Sequence, residues 1–298
     1  MTTLTEQLAA EGQWPREQLD IDYNARATVG DRFADQMRAY RETSDEVRAP
    51  WLSHADIVYD DDSGQALDIF GVDPAGALRP VFLFIHGGYW RALSKNDSAM
   101  MAGTLSQEGI ATAVIDYRLS PEVSLAEIVR EVRAALAFLW KNGRDYGIDA
   151  ERIHIGGSSA GAHLAGMLLA RGWHSTFGVP EDVVKSALPM SGLFDLAPIA
   201  ASFAQDWLSL DAQYTAELSP IRHVPDIGCP VVIAWAEGEA PGFKRQSKAF
   251  AEAWSNAGYA TRMLEVPGRN HFDILMELRD GNTALSKALI GLVKGSSA

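Results

Sequence analysis

Strand-length apolar runs alternate along this chain with longer segments in which apolar residues recur every three or four positions. The runs contain few polar residues, so each is typical of a strand that is buried on both faces. Buried strands that alternate with amphipathic helices favour a mainly parallel sheet with helices on both sides, an α/β fold. The predicted strands cover residues 81–85, 111–115, 152–155, 186–190, 230–235 and 262–266.

The amphipathic segments supply the predicted helices. The clearest covers residues 125–140, and residues 243–256 and 285–292 have the same periodicity. A helix with one apolar face is suited to pack onto a sheet. The residues that share the apolar face of the first segment are Leu125, Ile128, Val129, Val132, Leu136, Leu139 and Trp140.

Three regions have other patterns. Residues 1–50 are predicted to form a helical preamble that packs on the main body. An antiparallel hairpin is predicted at 55–59 and 66–70, joined by a turn at 60–64 that contains Asp, Ser and Gly. Residues 193–225 do not alternate cleanly, and we expect a helical insertion at the carboxyl edge of the sheet, where it can cover a functional site. The apolar residues of the preamble are Ile21, Tyr23, Val29, Phe33, Met37 and Tyr40.

Composition limits the size and the partners of this fold. Of the 298 residues, 47% are hydrophobic, which is enough to bury a sizeable core in a single domain over residues 1–298. There are 26 Lys and Arg residues against 39 Asp and Glu residues. The resulting net charge of −13 disfavours nucleic acid and anionic membranes as partners.

Cysteine content and hydropathy indicate the compartment. Cys229 is the only cysteine, so an intramolecular disulfide and a thiolate-rich metal site are excluded. Residues 1–18 carry charges and lack an apolar run of signal-peptide length. No uncharged apolar stretch approaches the ~20 residues that span a bilayer. We therefore expect a cytoplasmic protein.

A serine flanked by small residues follows the predicted strand at 152–155. Residues 157–161 read Gly-Ser-Ser-Ala-Gly, and the glycine spacing centres on Ser159. A serine on such a sharp strand-to-helix turn exposes its hydroxyl above the sheet, while the glycines leave room for the neighbouring backbone. The following helix directs free amides toward negative charge that develops there. Ser159 is therefore the candidate nucleophile and Ser158 a non-catalytic neighbour.

Paired glycines follow the predicted strand at 81–85. Acyl transfer develops an oxyanion, which requires two or three amide donors that are fixed in advance. Gly87 and Gly88 can present amides without obstruction by side chains, and the amide of Ala160 can supply a third. His86 is predicted to shape this loop rather than to act as a base. A plain turn with buried aromatic residues behind it is the alternative interpretation.

The general base must come from the seven histidines of the chain. His154 lies within a predicted strand and His163 lies one turn into the helix after Ser159, so both are predicted to be packing residues. His271 lies in a turn after the last predicted strand, where a loop can carry the imidazole over the carboxyl end of the sheet. His271 is therefore the candidate base.

A carboxylate that orients the imidazole is expected between the serine and the histidine in the sequence. Two candidates follow the predicted strand at 230–235. We favour Glu239 over Glu237, because Glu237 is nearer to the strand and is placed to cap a helix or to face solvent. The order Ser159, Glu239, His271 is the chain order that this architecture requires of a nucleophile, an acid and a base.

These motifs resemble the α/β-hydrolase superfamily and, within it, the branch of kynurenine formamidases and related esterases. The resemblance extends over nearly the whole chain. The segments that carry it are His86-Gly-Gly-Tyr89-Trp90, Gly157-Ser-Ser159-Ala-Gly161 and residues 22–24, 116–121, 219–221, 243–246 and 270–272.

This resemblance implies a serine hydrolase with an eight-stranded, mostly parallel sheet, a small helical cap and neither a metal nor another cofactor. It also implies a triad of Ser159, Glu239 and His271. Two positions depart from the family pattern: many relatives have Asp where this chain has Glu239, and Gly is usual where it has Ala236.

We expect a small-molecule substrate that is a short-chain carboxylic ester or an N-formyl or N-acyl arylamine. If Trp90 narrows the acyl side, formyl and acetyl groups would be favoured. Ordinary core packing is the alternative for Phe194 and Trp207, and a homo-oligomer is compatible with the sequence. The predicted pocket walls are Tyr89, Trp90, Leu193, Phe194 and Trp207.

Other functions stay open on the same scaffold. One is a catabolic hydrolase that cleaves an amide or ester of another aromatic or heterocyclic compound. Another is a ligand-binding protein without catalysis, although both the candidate nucleophile and the candidate base are present. A metal-dependent amidase has no support, since the sequence contains no His-Glu-x-x-His motif.

Overall fold

The computed structural model of the chain describes residues 2–295. Its strands are β1 (Leu52–Asp60), β2 (Gln65–Phe70), β3 (Arg79–Ile85), β4 (Ala111–Ile115), β5 (Ile148–Ser158), β6 (Val184–Met190), β7 (Val231–Ala236) and β8 (Thr261–Val266). They form one eight-stranded sheet in the order β1-β2-β4-β3-β5-β6-β7-β8. β2 is antiparallel to β1 and to β4, and the other neighbouring strands are parallel. The predicted mostly parallel sheet and its N-terminal hairpin are confirmed.

Strand β5 differs most from its prediction. The apolar run predicts residues 152–155, whereas the strand covers Ile148–Ser158. Its first residue pairs with Arg79 of β3, and a register shift follows before the regular pairing begins. A strand that is interrupted by a bulge and by charged residues does not give a continuous apolar run, so its start is not visible in the sequence pattern.

Helices flank this sheet on both faces. Apolar residues of the fifth, sixth and eleventh α-helices belong to one core cluster, and those of the fourth and twelfth belong to another. The α-helices are α1 (Leu4–Glu11), α2 (Arg16–Asp22), α3 (Phe33–Trp51), α4 (Ala102–Gln107), α5 (Leu125–Asn142), α6 (Ala160–Leu169), α7 (His174–Phe177), α8 (Ala197–Ala200), α9 (Gln205–Leu208), α10 (Ala212–Glu217), α11 (Pro241–Asn256) and α12 (Ala284–Lys294).

Strand β3 divides the two core clusters. Val81, Leu83 and Ile85 pack in the cluster that contains α5 and α6, while Phe82 and Phe84 pack in the cluster that contains α4 and α12. Successive side chains of a strand point to opposite faces, so a strand with core on both sides has no polar positions. This explains why β3 reads as an unbroken apolar run.

Ion pairs with buried carboxylates attach the N-terminal segment to the body. Arg245 on α11 pairs with Glu11 at the end of α1 and with Asp22 at the end of α2. The hydroxyl of Tyr89 donates to the carbonyl oxygen of Tyr23, and Arg48 of α3 lies 2.8 Å from the buried Asp68 of β2. These contacts hold residues 23–40 beside the loop that follows β3.

None of the helices among residues 2–295 combines the length and the apolar character that crossing a bilayer requires.

Candidate active site

Ser159 occupies a strained turn between β5 and α6. Its φ of 58° and ψ of −120° lie in a region that non-glycine residues avoid, at a cost of about 1–3 kcal/mol. The Ser159 amide donates to the Met190 carbonyl oxygen at 2.9 Å, and the Ser159 carbonyl oxygen accepts from the His163 amide at 3.1 Å. Such a conformation persists only where the surrounding structure fixes it, which is a frequent property of functional sites.

The two glycines around Ser159 are required by close backbone contact. A Cβ atom on Gly157 would lie 2.3 Å from the carbonyl oxygen of Gly161. A Cβ atom on Gly161 would lie 2.0 Å from the carbonyl oxygen of Ile85 on β3. Neither position therefore accepts a side chain, in agreement with the steric reason that the spacing of the motif suggests.

The loop after β3 is fixed by aromatic and hydrogen-bond contacts. The hydroxyl of Tyr117 donates to the His86 carbonyl oxygen at 2.9 Å, and the two rings stack with centroids 4.1 Å apart. The Nδ1 atom of His86 lies 3.0 Å from the carbonyl oxygen of Gly87, and burial lowers the pKa of His86. His86 is thus a neutral structural residue of this loop.

Three amides beside the turn have no hydrogen-bond acceptor in the described part of the chain: those of Gly87, Gly88 and Ala160. Ala160 is the first residue of α6, so its amide has no helical carbonyl four residues earlier. Gly87 lies so close to the turn that a Cβ atom there would be 3.2 Å from the Cβ of Ser159. Free amides at this point are suited to bind an oxyanion.

His271 follows β8 and is buried, with 3% of its surface exposed. Its ring packs against Phe243 of α11, with centroids 4.3 Å apart. The hydroxyl of Tyr40 on α3 donates to the carbonyl oxygen of Phe272 at 2.7 Å. The imidazole is therefore positioned by one helix of the body and by one helix of the N-terminal segment.

Glu239 lies beside Nδ1 of the His271 imidazole. Its Oε2 atom lies 3.7 Å from Nδ1 of His271, and neither atom has another partner among the described residues. This separation exceeds a hydrogen bond, as is common for catalytic contacts in unliganded structures. The other oxygen, Oε1, accepts from the Ala236 amide at 2.9 Å and from the hydroxyl of the fully buried Ser191. One carboxylate oxygen is thus anchored while the other is directed at the ring.

Glu237 lies elsewhere. It is exposed, and its Oε2 atom accepts from the Gly268 amide at 2.8 Å. Of the two acidic candidates, the structure therefore brings Glu239 and not Glu237 to His271. Ser191, which has a φ of 54°, is a contact residue of the site that the sequence prediction missed.

Ser159 and His271 line the same cavity, of about 440 Å³. Gly87 and Gly88 also line it, and so do Tyr89 and Trp207 from the predicted pocket walls. The indole nitrogen of Trp207 donates to the Tyr89 carbonyl oxygen at 3.1 Å, which joins the insertion to the loop after β3.

Three predicted pocket residues lie outside this cavity, so their assignment is wrong. Trp90, Leu193 and Phe194 have no exposed surface. The indole of Trp90 donates to Nδ1 of His163 at 3.2 Å, and Phe194 stacks on Phe250 of α11. Trp90 faces the core because the backbone of the loop turns it toward α6, so it cannot narrow the acyl side.

His163, the partner of Trp90, is a packing residue. Its Nε2 atom lies 2.7 Å from the Leu218 carbonyl oxygen, and burial lowers the pKa of His163 to about 4. This neutral imidazole joins the core indole of Trp90 to the insertion and does not reach the cavity.

The sequence prediction missed most of the cavity wall. Phe33, Met37 and Tyr40 lie one helical turn apart on α3, and this spacing was visible but indicated only a packing face. The other missed residues come from four separate segments, and no periodicity along the chain relates them to one another. The missed residues that line the cavity include Asn24, Arg26, Phe33, Met37, Tyr40, Arg91, Leu93, Phe203, Phe272 and Leu275.

No group of three or more His, Cys, Asp or Glu side chains suited to a metal ion occurs among residues 2–295.

Relatives of known name align over most of the chain. The kynurenine formamidase of Salmo salar is 27% identical over 277 residues, which are 91% of this chain and 92% of the relative. The kynurenine formamidase of Danio rerio is 26% identical and covers 93% of this chain and 96% of its own. An isoprenylcysteine alpha-carbonyl methylesterase of Arabidopsis thaliana is 24% identical over 80% of this chain and 61% of its own.

Solved esterase structures share the fold. The hyperthermophilic esterase from Pyrobaculum calidifontis superposes with a TM-score of 0.73 at 17% identity, covering 95% of this chain and 98% of its own. A thermophilic carboxylesterase cloned from a metagenomic library gives 0.68 at 18% identity over 89% and 98% of the two chains. The strand order, the turn at Ser159, the named relatives and the shared fold together define the chain as an α/β-hydrolase, in the class of ester and amide hydrolases.

A family match narrows this class. Residues 67–254 match the BD-FAE family, which is more than half of the chain. The chain belongs to the BD-FAE family.

Proposed function

We propose that this protein is a serine hydrolase that cleaves N-formyl and small N-acyl arylamines, and short-chain carboxylic esters, through an acyl-enzyme. The observation that carries the proposal is one cavity lined by both Ser159 and His271, with the carboxylate of Glu239 behind the imidazole. Three free amides beside Ser159 supply the remaining element of acyl transfer.

In the first half of the reaction, Nε2 of His271 takes the hydroxyl proton of Ser159 while Oγ forms a bond to the acyl carbon. The carbonyl oxygen becomes an oxyanion, which accepts hydrogen bonds from the amides of Gly87, Gly88 and Ala160. Glu239 stabilises the imidazolium from the side of Nδ1.

In the second half, the imidazolium of His271 donates its proton to the leaving nitrogen or oxygen, and the bond from the acyl carbon to that atom breaks. Water then enters and loses a proton to His271 as it attacks the acyl-enzyme. Collapse of this intermediate releases the acid, and the proton returns to Ser159, so the enzyme is regenerated with no cofactor consumed.

The cavity supports an aromatic leaving group. The ring of Tyr89 makes edge contacts with Phe203 and Trp207 at centroid distances of 5.5 and 6.0 Å, and all three residues line the cavity. Flat aromatic groups pack well against such rings. The alignment of two kynurenine formamidases over nine-tenths of this chain supports a formamide as the substrate.

Fluorophosphonate labelling and substrate turnover test the proposal. We expect the wild type to be labelled and to hydrolyse an N-formylarylamine and p-nitrophenyl acetate faster than esters of long acids. Ser159→Ala should abolish labelling and lower kcat by about 10⁴-fold or more while the protein stays folded.

The matched control is Ser175→Ala, which removes an exposed hydroxyl on α7 that does not line the cavity. It should leave labelling and turnover at the wild-type level. A wild type that resists the probe, or a Ser159→Ala variant that keeps near-normal activity, would remove the basis for the proposal.

A further inference from the structure

We propose that Arg26 and Arg91 select substrates that carry a carboxylate on the leaving group. This inference rests on the proposed function for the reaction and adds the charge of the substrate. Both arginines are exposed, and both line the cavity that contains Ser159 and His271. They are therefore placed where a polar substituent of a bound aromatic group would meet solvent.

Neither guanidinium has a polar partner among the side chains and carbonyl groups of residues 2–295. Arg26 and Arg91 make no ion pair and donate no side-chain hydrogen bond within residues 2–295, whereas Arg118, Arg130 and Arg245 each pair with carboxylates. In a chain with a net charge of −13, an arginine has many acidic side chains available to it. Two arginines that stay unpaired beside one cavity leave their donors available to a ligand.

Aromatic rings hold both guanidinium groups at the cavity wall. The guanidinium carbon of Arg91 lies 4.3 Å from the ring centroid of Trp207, and that of Arg26 lies 4.7 Å from that of Phe33. Both rings also line the cavity. Stacking uses the face of a guanidinium and leaves its N–H edge free, and that edge matches a carboxylate in a bidentate manner.

The charged side chains that line the cavity are both positive. Its lining contains no Asp, Glu or Lys, and its titratable groups besides the two arginines are Tyr40, Tyr89 and His271. Burial raises the pKa of Tyr40 and of Tyr89, so both phenols stay neutral. An anionic substrate thus meets two cations and no carboxylate in the lining of this cavity, although the whole chain is negatively charged.

The test compares substrates that differ only in charge. The formamide pair is para-formamidobenzoate and para-formamidobenzamide, and the ester pair is para-acetoxybenzoate and para-acetoxybenzamide. For each enzyme the measured quantity is the ratio of kcat/KM for the anionic member to that for the neutral member. A ratio compared between variants cancels the difference in leaving-group reactivity.

We expect Arg91→Gln and Arg26→Gln each to lower this ratio by about 5–10-fold. The effect is modest because solvent weakens a hydrogen bond between charged groups at an exposed site. Arg91→Lys should give an intermediate ratio, because it keeps the charge and loses the planar fork. Raising NaCl from about 0.05 to about 0.5 M should lower the wild-type ratio and leave that of the double Gln variant nearly constant.

Arg262→Gln is the control for net charge. Arg262 is an exposed arginine of β8 that makes no ion pair in the described chain and does not line the cavity. This variant should keep the wild-type ratio. If Arg26→Gln and Arg91→Gln keep it as well, or lower both members of a pair equally, the arginines act by packing alone and the inference is wrong.

A binding experiment separates this inference from the proposed function. Calorimetric titration of Ser159→Ala with benzoate and with benzamide needs no turnover. Tighter binding of benzoate that is lost on adding Arg91→Gln would support anion selection even if neither substrate pair were cleaved. Equal binding of both ligands would overturn it even if all four compounds were hydrolysed.

Discussion

The two halves of the cavity are built in different ways. On one side, Ser159, Gly87 and Gly88 lie in loops at the carboxyl ends of adjacent parallel strands, and backbone contacts of about 3 Å fix their conformation. On the other side, α3 and the insertion between β6 and β7 contribute side chains that meet only by tertiary packing. In the function proposed above, the first side carries out the reaction and the second selects the substrate.

This difference indicates which positions tolerate substitution. An extra methyl group at Gly161 meets a backbone oxygen, which cannot move without moving β3. A change at Phe33 or Met37 meets other side chains, which can rearrange. We therefore expect substitutions at the strand ends to affect kcat and substitutions in the wall to affect KM.

The largest effect is expected for the carboxylate. Glu239→Gln should lower kcat by about 10³–10⁴-fold, because an amide neither stabilises the imidazolium nor fixes the tautomer that leaves Nε2 free to accept a proton. Glu237→Gln is the matched control, and it should lower kcat by less than about threefold, since Glu237 contacts the turn at Gly268 instead. Steady-state kinetics on p-nitrophenyl acetate measures both. A larger loss for Glu237→Gln would transfer the role of the acid.

An intermediate effect is expected for Tyr40, which belongs to the wall but holds the histidine loop. Tyr40→Phe leaves the Phe272 carbonyl oxygen without its donor, and we expect about a tenfold lower kcat with stability reduced by about 1–3 kcal/mol. The rate of fluorophosphonate labelling should fall in parallel.

Tyr259→Phe is the control for Tyr40, because it removes a similar hydroxyl-to-carbonyl bond, to Pro225 at 2.7 Å, away from the cavity. It should reduce stability and leave the labelling rate unchanged. Equal labelling rates in the two variants would mean that Tyr40 does not position His271.

The smallest effect is expected for Phe33. Phe33→Ala should raise KM for aryl formamides by about 3–10-fold with little change in kcat, because part of an aromatic contact surface is lost while Ser159 and His271 keep their positions. KM for methyl acetate should change less. Tyr214→Ala removes an exposed aromatic ring that does not line this cavity, and it should leave both KM values unchanged. A fall in kcat as large as the rise in KM would contradict the division between the two sides.

The same division explains how far the sequence could be interpreted. Ser159 and the loop at Gly87 are recognisable because their constraints are local: a strand, a glycine and a turn follow one another in the chain. Strand β3 is recognisable because core on both faces forbids polar residues. The choice between Glu237 and Glu239 depends on which carboxylate the turn at Ala236 directs toward His271, and no spacing rule encodes it.

The cavity wall could not be predicted for a further reason. Trp90 belongs to the segment of residues 86–90, but its backbone has a φ of 59° and its side chain lies in the core. Arg26 is far from the motif in sequence and reaches the cavity through tertiary contacts, among them the pairing of Arg245 with the two preceding helices. Adjacency along the chain is thus a poor guide to which side chains meet a substrate.

The attachment of the N-terminal segment also matters for any shortened form of the protein. Residues 67–254 match the family, yet Phe33, Tyr40 and His271 all lie beyond those limits. A protein truncated to these residues would keep the central strands and the turn at Ser159. It would lose His271 and the side chains of α3 that line the cavity. Expression boundaries for this enzyme therefore need to include the first forty residues and the region after β8.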